Sequence, residues 1–408
     1  MYIQRNAEKV IRELVKEYPV LMVLGARQVG KSTLLNHIKE EKRLYVTLDD
    51  FNARNLALTD PLLFLQTYPA PVIIDEFQYA PDLLTAIKLQ VDKRALKNEH
   101  SEALYWLTGS QTFAMMKHVS ETLAGRAGII DLSSLSKSEI EGRDVGVFHP
   151  AIEQLKQRSI GAIKKDVHQI YQMIFNGGMP KLIAEDLSRD AYYSNYVRTY
   201  VERDVQQLSQ VGNVSAFYNF LTYTAARTAQ TVDYATTAKA IGVSAPTIKQ
   251  WISILERSGL IYLLQPYFND ISSRLVKAPK LYFMDTGLCA WLCKWPTPET
   301  LEHGAMDGAF FETFAVSEII KSFYNAGKRV NLYYYRDRDQ KEIDLLYIEG
   351  NDVYPIEIKK GIYPSMPDRN FDVLNKYKLN IQTAIVLCMS EELVPLNKKV
   401  WYCPISIL

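Results

Sequence analysis

Apolar residues fall along this chain in two alternating rhythms. Short continuous runs of strand length occur at Pro19–Leu24 (PVLMVL), Leu44–Leu48 (LYVTL), Pro71–Glu76 (PVIIDE), Leu104–Gln111 (LYWLTGSQ) and Gly128–Leu132 (GIIDL). Around and between them lie stretches with apolar positions three and four apart. These are Glu8–Lys16, Ser32–Lys39 with Leu34, Leu35 and Ile38, and Thr112–Ala124 with Met115, Met116, Val119 and Leu123. Strands alternating with helices over Pro19–Leu132 predict a mainly parallel sheet with helices on both faces. Ile140–Glu202 is helical in pattern, broken at Gly177, Gly178 and Pro180.

Tyr234–Ser258 reads as helix, turn, helix. Gly242 and Val243 form the turn, Ser244 is a natural cap, and Ile248, Trp251, Ile252 and Leu255 recur at helical spacing. Ile261–Leu264 and Lys280–Met284 then predict two strands of a wing, and Ile271–Lys280 between them carries Arg274, Lys277 and Lys280 with no acid. If the motif meets DNA, Thr247, Lys249 and Gln250 face the groove; such modules also serve for protein contacts alone. Further on, Phe310–Lys321 predicts a helix, Val330–Arg336 and Glu342–Ile348 a hairpin, and Val353–Lys359 one more strand.

Composition changes this picture little. The 408 residues are 48% hydrophobic and 23% charged, ordinary for a globular chain of several domains. A net charge of +1 gives no global signature of nucleic-acid binding, so any basic surface is local. No run is apolar for long enough to span a bilayer, and Met1–Val20 is studded with Arg5, Lys9, Arg12 and Lys16, so no membrane partner and a cytoplasmic location are expected. Cys289 and Cys293 lie one helical turn apart, followed by His303, but without a convincing fourth ligand; buried thiols fit Cys289, Cys293, Cys388 and Cys403 better than a metal site.

The chemistry concentrates at strand ends. Gly25, Ala26, Arg27, Gln28, Val29, Gly30, Lys31, Ser32 and Thr33 satisfy the phosphate-loop pattern G-x-x-x-x-G-K-[ST] between a strand and a helix. Glycines let backbone N–H groups approach phosphates, and the helix start adds positive potential. Lys31 is expected on the β- and γ-phosphates and Ser32 on Mg²⁺. Asp75 and Glu76 end the next apolar strand: Asp75 suits the Mg²⁺ shell, and Glu76 suits polarisation of the attacking water. Ser110 or Gln111 would contact the γ-phosphate or that water. Arg126 would stabilise transferred charge in its own subunit or across an interface, and a structural ion pair accounts for it equally well. Asp49 and Asp50 also end a strand, without a distinguishing signal. The ligands that follow are ATP and Mg²⁺.

In the tail, Glu357 and Lys359 share a strand face, Asp344 lies on the neighbouring strand, and Glu312 would project from the packed helix. Three carboxylates and a lysine would hold Mg²⁺ and activate a water for phosphodiester cleavage. The order helix-Glu, strand-Asp, strand-Glu-x-Lys is that of the PD-(D/E)xK nuclease fold, with Ile343 in place of the proline.

Taken together, the chain resembles a prokaryotic family of AAA-type P-loop ATPases that carry a C-terminal domain of unknown function. The resemblance runs through GARQVGKST (Gly25–Thr33), YVTLDD (Tyr45–Asp50), PVIIDEFQYAP (Pro71–Pro81), LTGSQ (Leu107–Gln111) and LAGR (Leu123–Arg126). It continues through YVERDV (Tyr200–Val205), AART (Ala225–Thr228), RLVKAPKLYFMDTGL (Arg274–Leu288), FFETFAVSE (Phe310–Glu318), YYRDRDQKEIDLL (Tyr334–Leu346) and IEIK (Ile356–Lys359). It implies ATP binding and hydrolysis, with a nuclease-like tail behind a winged helix. The expected fold is α/β: a P-loop ATPase domain over residues 1–145, a helical connection over 146–228, a winged helix-turn-helix over 229–290 and a PD-(D/E)xK-like domain over 291–408. The expected activity is Mg²⁺-dependent ATP hydrolysis coupled to a tail acting on nucleic acid, with DNA and a second copy of the chain as candidate partners. The alternative is a non-catalytic nucleotide switch that binds a protein.

Overall fold

The computed structural model describes residues 1–97, 103–109, 122–200, 214–267, 278–377 and 379–408. Ser110, Gln111, Met115, Met116, Val119, Glu202, Arg274 and Lys277, singled out above, lie outside the described residues. The first unit holds α1 (Glu8–Glu17), β1 (Val20–Gly25), α2 (Lys31–Ile38), β2 (Leu44–Thr47), α3 (Phe51–Thr59), α4 (Pro61–Thr67), β3 (Val72–Asp75), α5 (Leu83–Ala95), β4 (Tyr105–Gly109) and β5 (Ala127–Leu132). The strands form one sheet in the order β2-β3-β4-β1-β5, and all neighbours are parallel.

Strand alternation sends side chains to two cores. Val20, Met22, Leu24, Val72, Ile74 and Leu107 pack with α3, α4 and α5 on one face. Leu21, Val23, Ile73, Trp106, Ile130 and Leu132 pack with α1 and α2 on the other. Each of these aliphatic side chains contributes about 2 kcal/mol by leaving water. Both faces are covered, so the strands read as continuous apolar runs, and every crossover delivers its loop to the same edge of the sheet.

Next come α6 (Lys137–Ile140), α7 (Ile152–Ser159), α8 (Val167–Asn176), α9 (Pro180–Ala184), α10 (Arg189–Tyr200) and α11 (Val214–Ala225). After β6 (Gln230–Thr231), α12 (Tyr234–Ile241) and α13 (Ala245–Arg257) are joined by a turn in which Gly242 takes φ +80°. The Ser244 hydroxyl accepts from Thr247 N, and Ile248, Trp251, Ile252 and Leu255 are buried. β7 (Ile261–Leu264) and β8 (Lys280–Phe283) pair antiparallel, with β6 on the outer side of β8.

The tail begins with α14 (Thr286–Leu292), α15 (Pro298–Glu302) and α16 (Asp307–Asn325). Its strands are β9 (Leu332–Arg336), β10 (Glu342–Glu349), β11 (Asp352–Ile358), β12 (Asn380–Ile381), β13 (Ala384–Cys388), β14 (Val394–Pro395) and β15 (Val400–Pro404). They form a seven-stranded sheet, antiparallel through β9-β10-β11 and parallel through β11-β13-β15. The tail docks on the first unit through buried charge. Glu318 of α16 accepts from Lys137 N at 2.6 Å and pairs with Lys321 at 2.8 Å, and Lys137 Nζ donates to the Ser406 carbonyl at 2.6 Å. Among the described residues no helix is long and apolar enough to cross a membrane. Cys289, Cys388 and Cys403 are buried, and all four cysteines are unbridged.

Candidate nucleotide site

The phosphate loop runs from the end of β1 into α2, and its backbone explains its glycines. Gly25 has φ +150°, and a Cβ there would lie 2.0 Å from the Leu132 carbonyl oxygen of β5. Gly30 has φ +91° where it caps α2. Gln28, at φ +59°, adopts the left-handed region without being glycine. Lys31, 6% exposed, turns its ammonium onto the carbonyls of Gly25 (3.1 Å) and Ala26 (2.8 Å). Beside the loop, at the floor of the cleft described below, buried Arg5 donates to the carbonyls of Val29 (2.8 Å) and Ser133 (2.9 Å) and pairs with Glu139 at 2.9 Å. It braces the loop against the segment that follows β5.

Asp75, at the end of β3, gathers hydroxyls. Ser32 donates to its Oδ1 at 2.9 Å, Tyr45 donates to its Oδ2 at 2.7 Å, and Thr108 of β4 donates to Oδ1. Burial and this carboxylate push the Tyr45 phenol above its ordinary range. Glu76 follows at φ +55°, a strained conformation for a non-glycine residue, and its carboxylate accepts from Gln78.

A cleft of about 760 Å³ opens over the loop. Gln28–Thr33 and Glu76 form one wall; Tyr192, Asn195, Tyr196 and Thr199 of α10 belong to the other. Asp285 anchors that second wall: its carboxylate accepts from Gly178 N (2.9 Å), the Tyr193 hydroxyl (2.8 Å) and Leu288 N (2.8 Å). A Cβ at Gly178 would sit 2.2 Å from the Leu135 carbonyl, so the helical region is seated directly on the first unit.

Other sequence candidates lie elsewhere. Asp50 caps α3, accepting from Ala53 N at 2.8 Å. Within its own subunit, Arg126 lies away from the phosphate loop. Its carbonyl accepts from Val20 N, at the opposite end of β1 from the phosphate loop, about 16 Å away by strand rise. Its guanidinium grips both oxygens of Asp92, at 2.6 and 3.2 Å. The structural ion pair is what the fold forms.

The tail candidates converge, but lysines fill the space between them. Lys359 pairs with Glu357 (2.6 Å) and Asp344 (3.4 Å), and Ile358 N donates to Asp344 at 2.8 Å. Glu312 accepts from the Tyr282 hydroxyl (2.6 Å) and from Lys280 (3.1 Å), which also pairs with Glu342. Burial pushes the Glu312 carboxyl up to about 7 against the pull of Lys280, and burial with the nearby Asp344 pushes Glu357 up to about 8. Burial opposes the charge on Lys280, yet Glu312, Asp344 and Glu342 outweigh it and hold it above its ordinary range. Among the described residues no three His, Cys, Asp or Glu side chains are grouped to hold a metal ion. Asp344 and Glu357 thus face Lys359, as the motif expects, while Glu312 faces Lys280, and these two lysines provide the counter-charge. Lys280 lies on β8, remote from the tail motif in sequence, and neither it nor Arg5, Thr108 or Asp285 was assigned a site role from the sequence.

Residues 17–141 match a family described as an AAA domain. Residues 167–299 and 307–408 match two domains of unknown function, DUF8612 and DUF4143. Uncharacterized proteins of Mycobacterium tuberculosis and Mycobacterium bovis are each 27% identical over 366 residues, covering 89% of this chain and 75% of theirs. Among solved structures, a RuvB variant of Thermotoga maritima is 16% identical over 63% of this chain and 88% of its own, with a TM-score of 0.33. A signal-transduction ATPase with numerous domains from Pyrococcus horikoshii is 11% identical over 80% and 47%, with a TM-score of 0.25. Likeness at that level carries no argument here. The AAA match, the parallel sheet and the phosphate loop make the first unit an AAA-type P-loop ATPase domain, which suggests nucleotide binding and hydrolysis.

Proposed function

We propose that this chain binds Mg²⁺-ATP in the cleft between the phosphate loop and α10 and hydrolyses it. The observation that carries the reading is the meeting of Ser32 and Asp75 at 2.9 Å beside Lys31 and Glu76. The donor set fits Mg²⁺, which takes oxygen ligands and pairs a carboxylate with substrate phosphates. Ser32 and Asp75 would hold the ion, which would supply charge neutralisation on the phosphates.

The chain's own residues do the rest. Gly25–Thr33 present backbone N–H groups at the start of α2 to the phosphates. Lys31 leaves the Gly25 and Ala26 carbonyls for the anion, exchanging two neutral acceptors for a charged one. Glu76, held by its backbone at the cleft, orients the attacking water and takes its proton. Calorimetry of ATP binding tests this. Lys31→Ala is expected to weaken binding by about a hundredfold, the loss of charge-assisted bonds; an unchanged dissociation constant contradicts it.

In the same proposal, residues 229–290 are a winged helix-turn-helix and 291–408 a nuclease-like domain that binds nucleic acid. The convergence of Asp344, Glu357 and Lys359 supports the framework, and its lysine counter-ions favour binding over cleavage.

A further inference from the structure

The residue next to the first glycine of the phosphate loop is covered from behind. Ala26 is 6% exposed. A Cβ added at Gly259 would lie 3.3 Å from Ala26 N and 3.6 Å from Ala26 Cβ, so the turn after α13 packs on the loop backbone itself. Gly259 has φ +72°, and the turn continues directly into β7. Ser258, the residue before it, caps α13, and its hydroxyl shares a buried 2.8 Å hydrogen bond with the hydroxyl of Tyr200. Tyr200 is the last described residue of α10, the helix that forms the far wall of the nucleotide cleft. One two-residue turn thus touches, from outside the cleft, both the phosphate loop and the helix that face each other across it, and it is the C-terminal end of the second helix of the helix-turn-helix.

We infer that Ser258–Gly259 reports nucleotide occupancy to α13. This rests on the cleft being the ATP site. Two arrangements of the loop supply the switch: Lys31 on the Ala26 carbonyl, as seen, and Lys31 on phosphate. The exchange alters the loop where Gly259 touches it. Filling the cleft presses on α10, and Tyr200 passes that to Ser258. Neither contact involves a reacting group, so the device regulates and does not catalyse. By linkage, anything that holds α13 in its nucleotide-bound position tightens ATP binding by the same factor.

Hydrogen exchange on the full chain tests this, following peptides that span α13 and the turn, with and without Mg²⁺-ATP. In the wild type, ATP is expected to change their exchange rates by about fivefold or more, the lower range of measured site couplings. Ser258→Ala and Tyr200→Phe each remove the shared bond. Both are expected to bind ATP with a dissociation constant close to that of the wild type and to lose most of the α13 response. Ser258→Ala also removes the 3.1 Å bond from its hydroxyl to the Leu255 carbonyl, so the response should be lost in Tyr200→Phe as well as in Ser258→Ala, with non-additive losses in the double variant. Wild-type protein that binds ATP without any change over α13, or single variants that keep the full change, would overturn the inference and leave the ATP site standing. Wild-type protein that does not bind ATP would overturn both.

Discussion

Asp75 shows how much one side chain can organise. It receives hydroxyls from β2 (Tyr45), β4 (Thr108) and α2 (Ser32), so three neighbouring elements fix its rotamer. A carboxylate held this way is placed for a cation without further rearrangement. Glu357 is the contrasting case. Its Oε1 meets Lys359, while its buried Oε2 has no hydrogen-bond partner among the described residues. Burial raises its carboxyl from an ordinary 4.5 to about 8. Between those values the folded state binds more protons than the unfolded state, so stability falls as pH rises through that window. Glu357→Gln removes the titration. Urea unfolding should find the variant close to wild type at pH 5 and more stable at pH 8.5; a variant no more stable at pH 8.5 would refute the assignment.

At the scale of elements, the tail strands raise a testable question. β10 and β11 bring Asp344, Glu357 and Lys359 together in the expected order, while β8 sends Lys280 to Glu312 and Glu342 from outside the tail motif. The prediction is that plasmid DNA stays uncut with Mg²⁺ or Mn²⁺. Cutting that disappears in Asp344→Ala would show that the lysines yield to metal. The same elements mark how far sequence reaches. β1, β3 and the phosphate loop were legible because apolar runs, glycines and strand-end acids are local signals. The hairpin β9-β10 and the strand β11 were legible for the same reason. The parallel strands β13 and β15 were not read, since Ala384–Cys388 and Val400–Pro404 are short apolar runs with no motif attached. The partnerships of Arg5 with Val29, Lys280 with Glu312 and Gly259 with Ala26 join residues far apart in the chain, and nothing in their spacing announces them.

At the scale of the whole molecule, the ATPase sheet is not a free-standing module. Lys137 and Leu135, just after β5, tie it to Glu318 and Lys321 of α16, and Leu135 N, donating to the Gly178 carbonyl at 2.8 Å, ties it to the helical region that walls the cleft. Buried charge of this kind breaks as a unit, because removing one partner strands the other. The segment after β5 thus joins the ATPase sheet to both the helical region and the tail. Arg126, at the far end of β5, stands outside that path, and a role for it in catalysis would need a neighbouring chain. Hydrolysis in this cleft is decided by phosphate release from Mg²⁺-ATP by wild type and Glu76→Gln. Turnover is expected in the wild type, with a loss of about a hundredfold or more in Glu76→Gln and ATP binding retained, the range for removing a general base. Equal turnover in both proteins, or none in a wild type that binds ATP tightly, would contradict it.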